Sequence, residues 1–399
     1  MSKKHIRRIL VSISTSSYTQ RRMLESILHY AQERHGASWR LQLDLGGFVC
    51  QRLRNLSAWN CDGIIAYVDN PDERRKFLAS GLPTVLIDPF QDVRDGAYAA
   101  PQTVVIVNDH ENEGRTAAAH FIERHFRSFA YVGTTEDAPW SRRRKVGFVS
   151  RLADDGFDCL CYPRPSRREQ SDFALEMPRL AEWLKRLPPQ TALFAAHDIR
   201  GRQVLTAADA AGLDVPNRIA VLGLDNDELL CETAYPSLSS VATDDLALGT
   251  FCAKTLEDLF RGRNGGCVRQ VSRATVITRA STDLNAVTDP FVNRALSWAR
   301  AHLAEGASVD AIARGIGYSK RLLQTRARQA LGTSLGHEVR EIMLSCAAEL
   351  LVRTNRPVAE IAESCGFSCV SHLSLRFRQK YGKTPLVYRR QPWASAKSM

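Results

Sequence analysis

Short apolar runs rich in valine and isoleucine alternate with longer segments of helical periodicity over residues 6 to about 280 of this 399-residue chain. Such alternation predicts a parallel sheet with helices on both faces, and the length of the region predicts two α/β lobes. The predicted strands are Ile9–Ile13, Gly63–Val68, Thr84–Asp88, Val104–Val107, Ala130–Gly133, Ala192–Ala196, Ile219–Gly223 and Thr275–Thr278. The predicted helices include Tyr18–Arg34, Glu113–Arg124, Ser141–Asp154, Glu176–Arg186, Gly201–Ala211 and Leu246–Arg261.

The remainder of the chain has helical periodicity and contains an internal repeat. Each copy has a short apolar helix, a glycine turn, a basic helix that begins near a serine, and a closing glycine. The copies lie near residues 309–331 and 358–381, and Leu335–Arg353 between them is predicted as one connecting helix. A glycine turn between two short helices is typical of a helix-turn-helix unit. For one copy alone an ordinary amphipathic hairpin is an equal alternative, but the repeat favours DNA binding.

The second helix of each unit is expected to read DNA. In the second unit Val370, Leu373, Phe377 and Tyr381 recur at helical spacing and are predicted to face the core. Hydroxyl, amide and cationic side chains off that stripe are the groups that reach base edges and phosphates. We expect base or near-base contacts from Lys320, Arg321, Gln324, Ser371 and Ser374, and phosphate contacts from Arg328, Arg378 and Lys380.

The positive charge of the chain is concentrated in this helical part. Of 54 Lys+Arg and 43 Asp+Glu, 17 and 7 lie from residue 291 onward, a net charge of +10. The first 290 residues carry only +1. This asymmetry indicates a polyanionic partner. A basic membrane-surface helix fits less well, because the cations are spread over several short helices.

Composition and cysteine spacing predict a cytoplasmic protein. The apolar run behind the basic start, Ile9–Ile13, is too short for a signal peptide, and no later run is long enough to span a membrane. The ten cysteines lack the spacing of a metal site, and Cys159 and Cys161 alternate as residues of a strand do. We therefore expect reduced thiols, no metal and no cofactor.

Polar or aromatic side chains follow several of the predicted strands. Tyr18 follows the first strand, Trp140 and the arginines at 142–144 follow the fifth, and Asp198 and Asp225 follow the next two. Because ligands of open α/β sheets bind beyond the carboxyl ends of the strands, these side chains are expected to face one cleft. Carboxylate, amide and arginine groups suit sugar hydroxyls. Taken singly, either aspartate could instead cap the following helix, and Trp140 could belong to the core.

The helical part resembles the DNA-binding domain of the AraC/XylS family. The matching residues, within about 291 to 390, are Gly366-Phe-Ser, Phe377, Tyr381-Gly382, Lys383-Thr-Pro385 and Tyr388-Arg389. The first unit departs from the pattern at Arg326 and Ala327, where the family has an apolar and a large aromatic residue. Its core is therefore expected to be looser, or packed from outside the unit.

The preceding region resembles the effector domain of the LacI/GalR regulators, which has the periplasmic-binding-protein fold, through Phe194–Asp198 and Val221–Asn226. The resemblance implies that Arg144, Asp198 and Asp225 hold sugar hydroxyls. The full expected ligand-binding set is Tyr18, Trp140, Arg144, Asp198, Asp225 and Asn226.

Together the two resemblances imply a two-lobed α/β periplasmic-binding-protein-like domain followed by an all-α double helix-turn-helix domain. The expected boundaries are 1–285 for the effector domain, 286–291 for a linker and 292–399 for the DNA-binding domain. The two recognition helices of one chain are expected about one DNA turn apart, roughly 34 Å.

The implied function is transcriptional regulation, expected to be activation of pentose catabolic genes. The expected partners are a double-stranded DNA operator, a small sugar effector, with D-xylose expected first, and a second copy of the chain in a homodimer. RNA polymerase is a candidate partner. The alternatives are a regulator of another sugar or small polar ligand, a sugar-processing enzyme that uses Asp198, Asp225 and Glu228, and a sugar transport receptor.

Overall fold

The computed structural model describes residues 6–44, 56–68, 71–87, 101–263, 265–271, 274–284, 287 and 289–390. These residues form two α/β lobes and a helical domain. The strands are β1 (Arg7–Ser12), β2 (Trp39–Asp44), β3 (Gly63–Tyr67), β4 (Thr84–Ile87), β5 (Thr103–Asn108), β6 (Ser128–Val132), β7 (Cys159–Cys161), β8 (Thr191–Ala195), β9 (Ile219–Leu224), β10 (Ser239–Thr243), β11 (Cys267–Val271) and β12 (Ala274–Ile277).

The helices of the two lobes are α1 (Tyr18–His35), α2 (Pro71–Leu78), α3 (His110–Ile122), α4 (Pro139–Asp154), α5 (Arg167–Ser171), α6 (Phe173–Arg186), α7 (Asp198–Ala210), α8 (Glu228–Glu232) and α9 (Asp245–Phe260). The helices of the C-terminal domain are α10 (Pro290–Ala301), α11 (Val309–Ile316), α12 (Lys320–Leu331), α13 (Leu335–Arg353), α14 (Val358–Ser364), α15 (Val370–Tyr381) and α16 (Pro385–Arg390). Among the described helices, none is both long and apolar enough to cross a membrane.

Each lobe contains one six-stranded sheet between helices. The order in lobe 1 is β11-β5-β4-β3-β1-β2, and its described pairings are all parallel. The order in lobe 2 is β12-β10-β9-β8-β6-β7, in which only β12 runs antiparallel to its neighbour. Side chains alternate between the faces of each strand, so Ile9 and Val11 enter one core and Leu10 enters another.

The chain passes between the lobes at the carboxyl ends of strands. It leaves β5 of lobe 1 for α3, which packs on α4 in lobe 2, and it leaves β10 of lobe 2 for α9, which packs on α1 in lobe 1. It passes back between β11 and β12. The carboxyl ends of the strands in both lobes therefore meet at one cleft, as the parallel topology predicts.

The C-terminal domain consists of two helix-turn-helix units, α11–α12 and α14–α15, on either side of α13. The turns need glycine for a physical reason. Gly317 and Gly366 have φ values of +75° and +79°, and a Cβ on Gly366 would lie 2.4 Å from the carbonyl oxygen of Leu303. Leu373 and Phe377 are fully buried and Val370 is 39% exposed, so the predicted core stripe is confirmed at its centre.

The predicted elements differ from the observed ones mainly at their starts. The connecting helix has the expected bounds, but α3 and α7 begin three residues earlier than predicted, because a polar residue caps each helix before its apolar period begins. The list of predicted strands lacks β2, β7, β10 and β11, although the alternation of Cys159 and Cys161 had indicated β7. The expected linker 286–291 overlaps the helical domain, since Asp289 caps α10 and Val287 is already buried in that domain's core. Predicted strand residue Asp88 lies outside the described residues.

Candidate functional site

Arg144 on α4 connects three elements at the cleft side of lobe 2. Its Nε donates to Glu113 Oε2 at 2.7 Å, and one terminal nitrogen donates to the carbonyl of Ala196 at 2.7 Å. The other terminal nitrogen lies 3.5 Å from Asp225 Oδ1. The guanidinium is 4.6 Å from the centre of the Trp140 ring, and the Arg144 side chain is buried. Arg144 is thus a fixed cation between two carboxylates.

Glu113 holds Arg144 in this orientation. Its Oε2 also contacts His110 Nδ1 at 2.9 Å. Burial alone would raise the pKa of Glu113, but Arg144 and His110 outweigh it and lower the pKa to about 2. Because an ionised carboxylate can only accept a hydrogen bond, His110 carries a proton on Nδ1, and its Nε2 is left for a hydrogen bond to another group.

Asp225 and Asn226 form a sharp turn directly after β9. Both have positive φ, +106° and +50°, a backbone conformation that side chains other than glycine adopt at a cost. The Asp225 side chain is 31% exposed beside Arg144. Burial raises its pKa, Arg144 opposes this and Glu113 adds to it, so that the pKa rises to about 6. This strained turn presents a carboxylate and an amide to the cleft.

Asp198, the first residue of α7, accepts hydrogen bonds from neighbouring elements. Its Oδ2 accepts the backbone N–H of Asp227 at 2.8 Å, and its Oδ1 accepts the hydroxyl of Ser240 at 2.6 Å. Ser240 Oγ in turn accepts the backbone N–H of Asn226 at 3.0 Å. The side chain is buried and both of its oxygens accept hydrogen bonds that position the 225–227 loop, so a contact of Asp198 with a sugar stays a prediction.

Tyr18 is the predicted ligand residue from lobe 1. It is the first residue of α1 and is half-buried. Burial raises the pKa of its phenol, and Glu228, Asp227 and Asp245 raise it further against the effect of Arg22. The effect of Asp227 and Glu228 on this pKa indicates that the Tyr18 ring lies near the loop that follows β9. The cleft therefore has one wall from α1 and the other from the network of Arg144.

Buried polar atoms at the cleft that have no hydrogen-bond partner among the described residues include His110 Nε2 and Asn226 Oδ1. Such atoms are rare in folded proteins unless a ligand or a water satisfies them. His110, Glu113 and Asp245 were missed by the sequence analysis. All three follow strands β5 or β10 closely, so the rule that pointed to Asp198 and Asp225 would also have found them.

The residues expected to contact DNA lie on α12 and α15. In α12, Arg321 and Arg328 are exposed, Gln324 is partly buried, and Lys320 pairs with Asp310 of α11 at 2.9 Å on the surface. In α15, Ser371 and Arg378 are exposed and Ser374 is partly buried. These side chains sit on the outer faces of the two helices and remain predicted DNA contacts.

Lys380 on α15 is the exception. Its Nζ lies 3.2 Å from Glu123 Oε1, which follows α3 of the effector domain, and 2.8 Å from Glu341 Oε2 of α13. It also donates to Ser345 Oγ at 3.2 Å, and its side chain is only 15% exposed. The expected phosphate contact is thus replaced by an interdomain ion pair in this structure. A second such contact joins His125 Nε2 to Glu338 Oε2 at 3.0 Å.

Comparison with known proteins agrees with both halves of this description. The family described as a periplasmic binding protein-like domain matches residues 118–282, and the family described as a helix-turn-helix domain matches residues 312–391. The xylose operon regulatory protein of Escherichia coli (strain K12) is 27% identical over 391 residues, 97% of each chain.

Solved structures give the same result. The structure of a xylose-binding transcription activator is similar over 97% of this chain and 98% of that chain, with a TM-score of 0.62 and 26% identity. The complex of the transcriptional regulator CelR with cellobiose covers 70% of this chain and 86% of that chain, with a TM-score of 0.55 and 21% identity, and shows the fold alone. The chain is therefore a DNA-binding transcription regulator that joins a periplasmic-binding-protein-like effector domain to a C-terminal AraC-type helix-turn-helix domain.

Proposed function

We propose that this protein is a cytoplasmic, sugar-responsive activator of pentose catabolic genes and that its effector is D-xylose. The observation that carries the proposal is the buried Arg144, fixed between Glu113 and Asp225 at the cleft. Similarity over nearly the full length to a xylose operon regulatory protein supports the choice of sugar. The interdomain contacts at the end of α3 support a link between the cleft and DNA binding.

The cleft chemistry suits a small neutral sugar. Arg144 donates and Asp225 accepts, so the pair can satisfy two adjacent hydroxyls of one ring. Asn226 adds an amide at the same turn, and Trp140 lies beside the arginine as an aromatic surface for the C–H face of a sugar. Tyr18 contributes a phenol from lobe 1, so a bound sugar contacts both lobes and favours their closure.

Regulation then follows from a two-state equilibrium. A sugar shifts the populations of the open and closed lobes only by its differential affinity for them. In a homodimer, the arrangement of the lobes sets the position of the helix-turn-helix units on an operator, with RNA polymerase as the further partner of an activator. The two recognition helices of each chain are proposed to enter successive major grooves, roughly 34 Å apart.

Sugar turnover is the alternative with a specific observation behind it, since the pKa of Asp198 rises to about 8 and that of Asp225 to about 6. A general acid and base would have such values. The hydrogen bonds of Asp198 argue against this role, because Asp227 N–H and the Ser240 hydroxyl use both of its oxygens. Recovery of unchanged D-xylose after prolonged incubation with the protein is the expected result.

Calorimetric titration of the full-length protein with D-xylose, L-arabinose, D-ribose and D-glucose tests the effector. We expect one site that prefers D-xylose. Asp225→Asn should weaken binding by about 10- to 100-fold, because hydrogen bonds to a charged group contribute about 1.5–3 kcal/mol. The matched control is Asp209→Asn on the exposed side of α7. Wild-type affinity in Asp225→Asn, or no heat with any sugar, would reject the cleft.

Fluorescence anisotropy with a duplex selected by the full-length protein tests the DNA interface. Replacing Arg378, the proposed phosphate contact, by alanine should weaken binding to all sequences and reduce the salt slope by about one. Arg321→Ala should instead relax the preference at particular base positions. A variant Arg115→Ala, on the exposed side of α3, is the control for loss of positive charge. Equal effects of all three variants would contradict the assignment.

A further inference from the structure

One cavity in lobe 2 is lined by none of Arg144, Asp198 and Asp225. It has a volume of about 290 Å³ and lies between the loop after β6 and the segment after β7. Its wall combines three cations with one thiol: Arg142, Lys145, Arg164 and Cys161. A thiol beside several cations in an open cavity has the surroundings of a reactive cysteine and not those of an inert buried one.

Cys161 has a second thiol next to it. Cys159 and Cys161 are two residues apart on β7, the edge strand of the sheet, and both pack against the core beneath α4. Leu160 between them points the other way and is 47% exposed. The Cys159 thiol donates to the carbonyl of Leu160 and the Cys161 thiol donates to the carbonyl of Cys159, both at 3.9 Å, and Lys145 lines the same cavity as Cys161. Both cysteines are free and partly exposed.

We propose that Cys161 and Cys159 form a redox-active thiol pair whose oxidant is a small hydroperoxide bound in this cavity. The Cys161 thiolate attacks the O–O bond, which breaks to give a sulfenic acid on Cys161 and an alkoxide or hydroxide that takes up a proton. The sulfur of Cys159 then attacks the sulfenic sulfur. The S–S bond forms, the S–O bond breaks, and the hydroxide leaves as water with the proton of Cys159. Two thiols lose two electrons and the hydroperoxide gains them.

The groups around Cys161 favour its thiolate. The adjacent Cys159 thiol lowers the pKa of Cys161 to about 6 against the effect of burial, and Lys145 lowers it further. Arg142 is partly neutralised by Asp137, 3.2 Å away, and Arg164 donates to the carbonyls of Thr135 and Glu136. The hydroxyl of Tyr131 on the neighbouring strand is engaged with Ser141. Lys145 is therefore the cation of the cavity wall that lowers the pKa of Cys161.

Disulfide formation changes the strand. Residues two apart on a strand have Cα atoms about 6.6 Å apart, at the upper end of the range of disulfides. Oxidation therefore draws β7 together and loosens its pairing with β6, which comprises only three residue pairs. Arg164 anchors the loop that leads from β6 to Trp140 through those two carbonyls, so the oxidised strand pulls on one wall of the cleft.

Stoichiometric hydrogen peroxide added to the reduced full-length protein, followed by alkylation and tryptic mass spectrometry, tests the pair. We expect peptide 152–167 to lose two hydrogens and escape alkylation, while the exposed Cys369 is alkylated. Cys159→Ser should stop at a sulfenic acid on Cys161 that dimedone traps, and Cys161→Ser should give neither product. The control Cys369→Ser should behave as wild type. Alkylation of Cys159 and Cys161 together with oxidation of Cys369 would overturn the proposal.

Alkylation without oxidant gives an independent measurement. At pH 6 a thiol with a pKa of about 6 is about half ionised. We expect iodoacetamide to modify Cys161 faster than the exposed Cys369 at pH 6 in the native protein, because the lowered pKa of Cys161 increases its thiolate fraction. Equal rates would overturn the proposal even if the serine variants misfold.

Discussion

The ion pair between Glu123 and Lys380 is predicted to hold the DNA-binding domain against the effector domain. Glu123 follows α3, and Lys380 lies on the second recognition helix, with 3.2 Å between the carboxylate oxygen and the ammonium. In this docked arrangement the Glu123 carboxylate occupies the Lys380 ammonium, so this cation is not available to a DNA phosphate. Glu123→Gln keeps the shape of the side chain and removes its charge. We therefore expect the variant to bind DNA more tightly in the absence of sugar.

The size of the effect follows from the exposure of the pair. Lys380 is 15% exposed but Glu123 is 41% exposed, so solvent screens much of the attraction. We assign about 1 kcal/mol to it, the upper end for partly exposed pairs. When the docked form predominates, a loss of that size raises the fraction competent for DNA binding about fivefold. Anisotropy with a selected duplex at about 50 mM salt should detect this, with a smaller change at higher salt.

Two comparisons isolate this contact. Glu182→Gln removes the same charge from the effector domain, at a residue that pairs only with Lys185 among the described ion pairs, and should leave DNA affinity unchanged. In a Lys380→Gln background, Glu123→Gln should have no further effect on DNA affinity, because Lys380→Gln has already removed the ion pair that the two residues share. Equal DNA affinity of Glu123→Gln and Glu182→Gln, or fully additive effects with Lys380→Gln, would refute the docking argument.

Two further predictions concern stability. Burial, and then Asp225, raise the pKa of Asp198 from 3.8 to about 8 in the fold. The folded protein therefore binds more protons than the unfolded chain and loses stability as the pH rises from about 4 to 8. Asp198→Asn should flatten this decline in thermal unfolding between pH 5 and 8. An unchanged pH profile would assign the dependence elsewhere. Gly366→Ala should destabilise the helical domain by about 3 kcal/mol in urea unfolding, since it adds a backbone clash with Leu303 to the left-handed strain. Gly332→Ala, with φ of +72° and no neighbour within 4 Å, should lose only about 1–2 kcal/mol.

The helical domain was the most predictable part because its constraints are local. A glycine that must adopt a positive φ marks each turn, and the 3.6-residue period fixes which side of α15 is buried. The packing of the first unit was also predictable, because its sequence departs from the family pattern at Arg326 and Ala327. Ala327 is buried but small, and Phe291 and Tyr318 pack on each other with ring centres 4.9 Å apart against the same core. Arg326 covers Phe291 and pairs with Asp289, so the packing comes from outside the unit.

The cleft was predictable in location but not in detail. Strand ends identify where Asp198 and Asp225 lie, since topology alone brings them together. Their different roles depend on pairwise geometry that sequence does not contain: Asp198 accepts from Asp227 and Ser240, whereas Asp225 faces Arg144. The same limit applies to Lys380, whose partner Glu123 is more than 250 residues away in the chain.

Helix α3 connects the cleft to the helix-turn-helix domain. It begins at the cleft, where Glu113 fixes Arg144, and the residues after its end, Glu123 and His125, contact the helix-turn-helix domain. His120 on the same helix contacts Thr282 at 3.0 Å, close to the start of that domain. A rigid helix cannot change its position at one end alone. Under the proposed function, a sugar that reorders Arg144 and Asp225 acts on Lys380 through α3, and its effect on DNA binding is limited by the difference in free energy between the two states that it shifts.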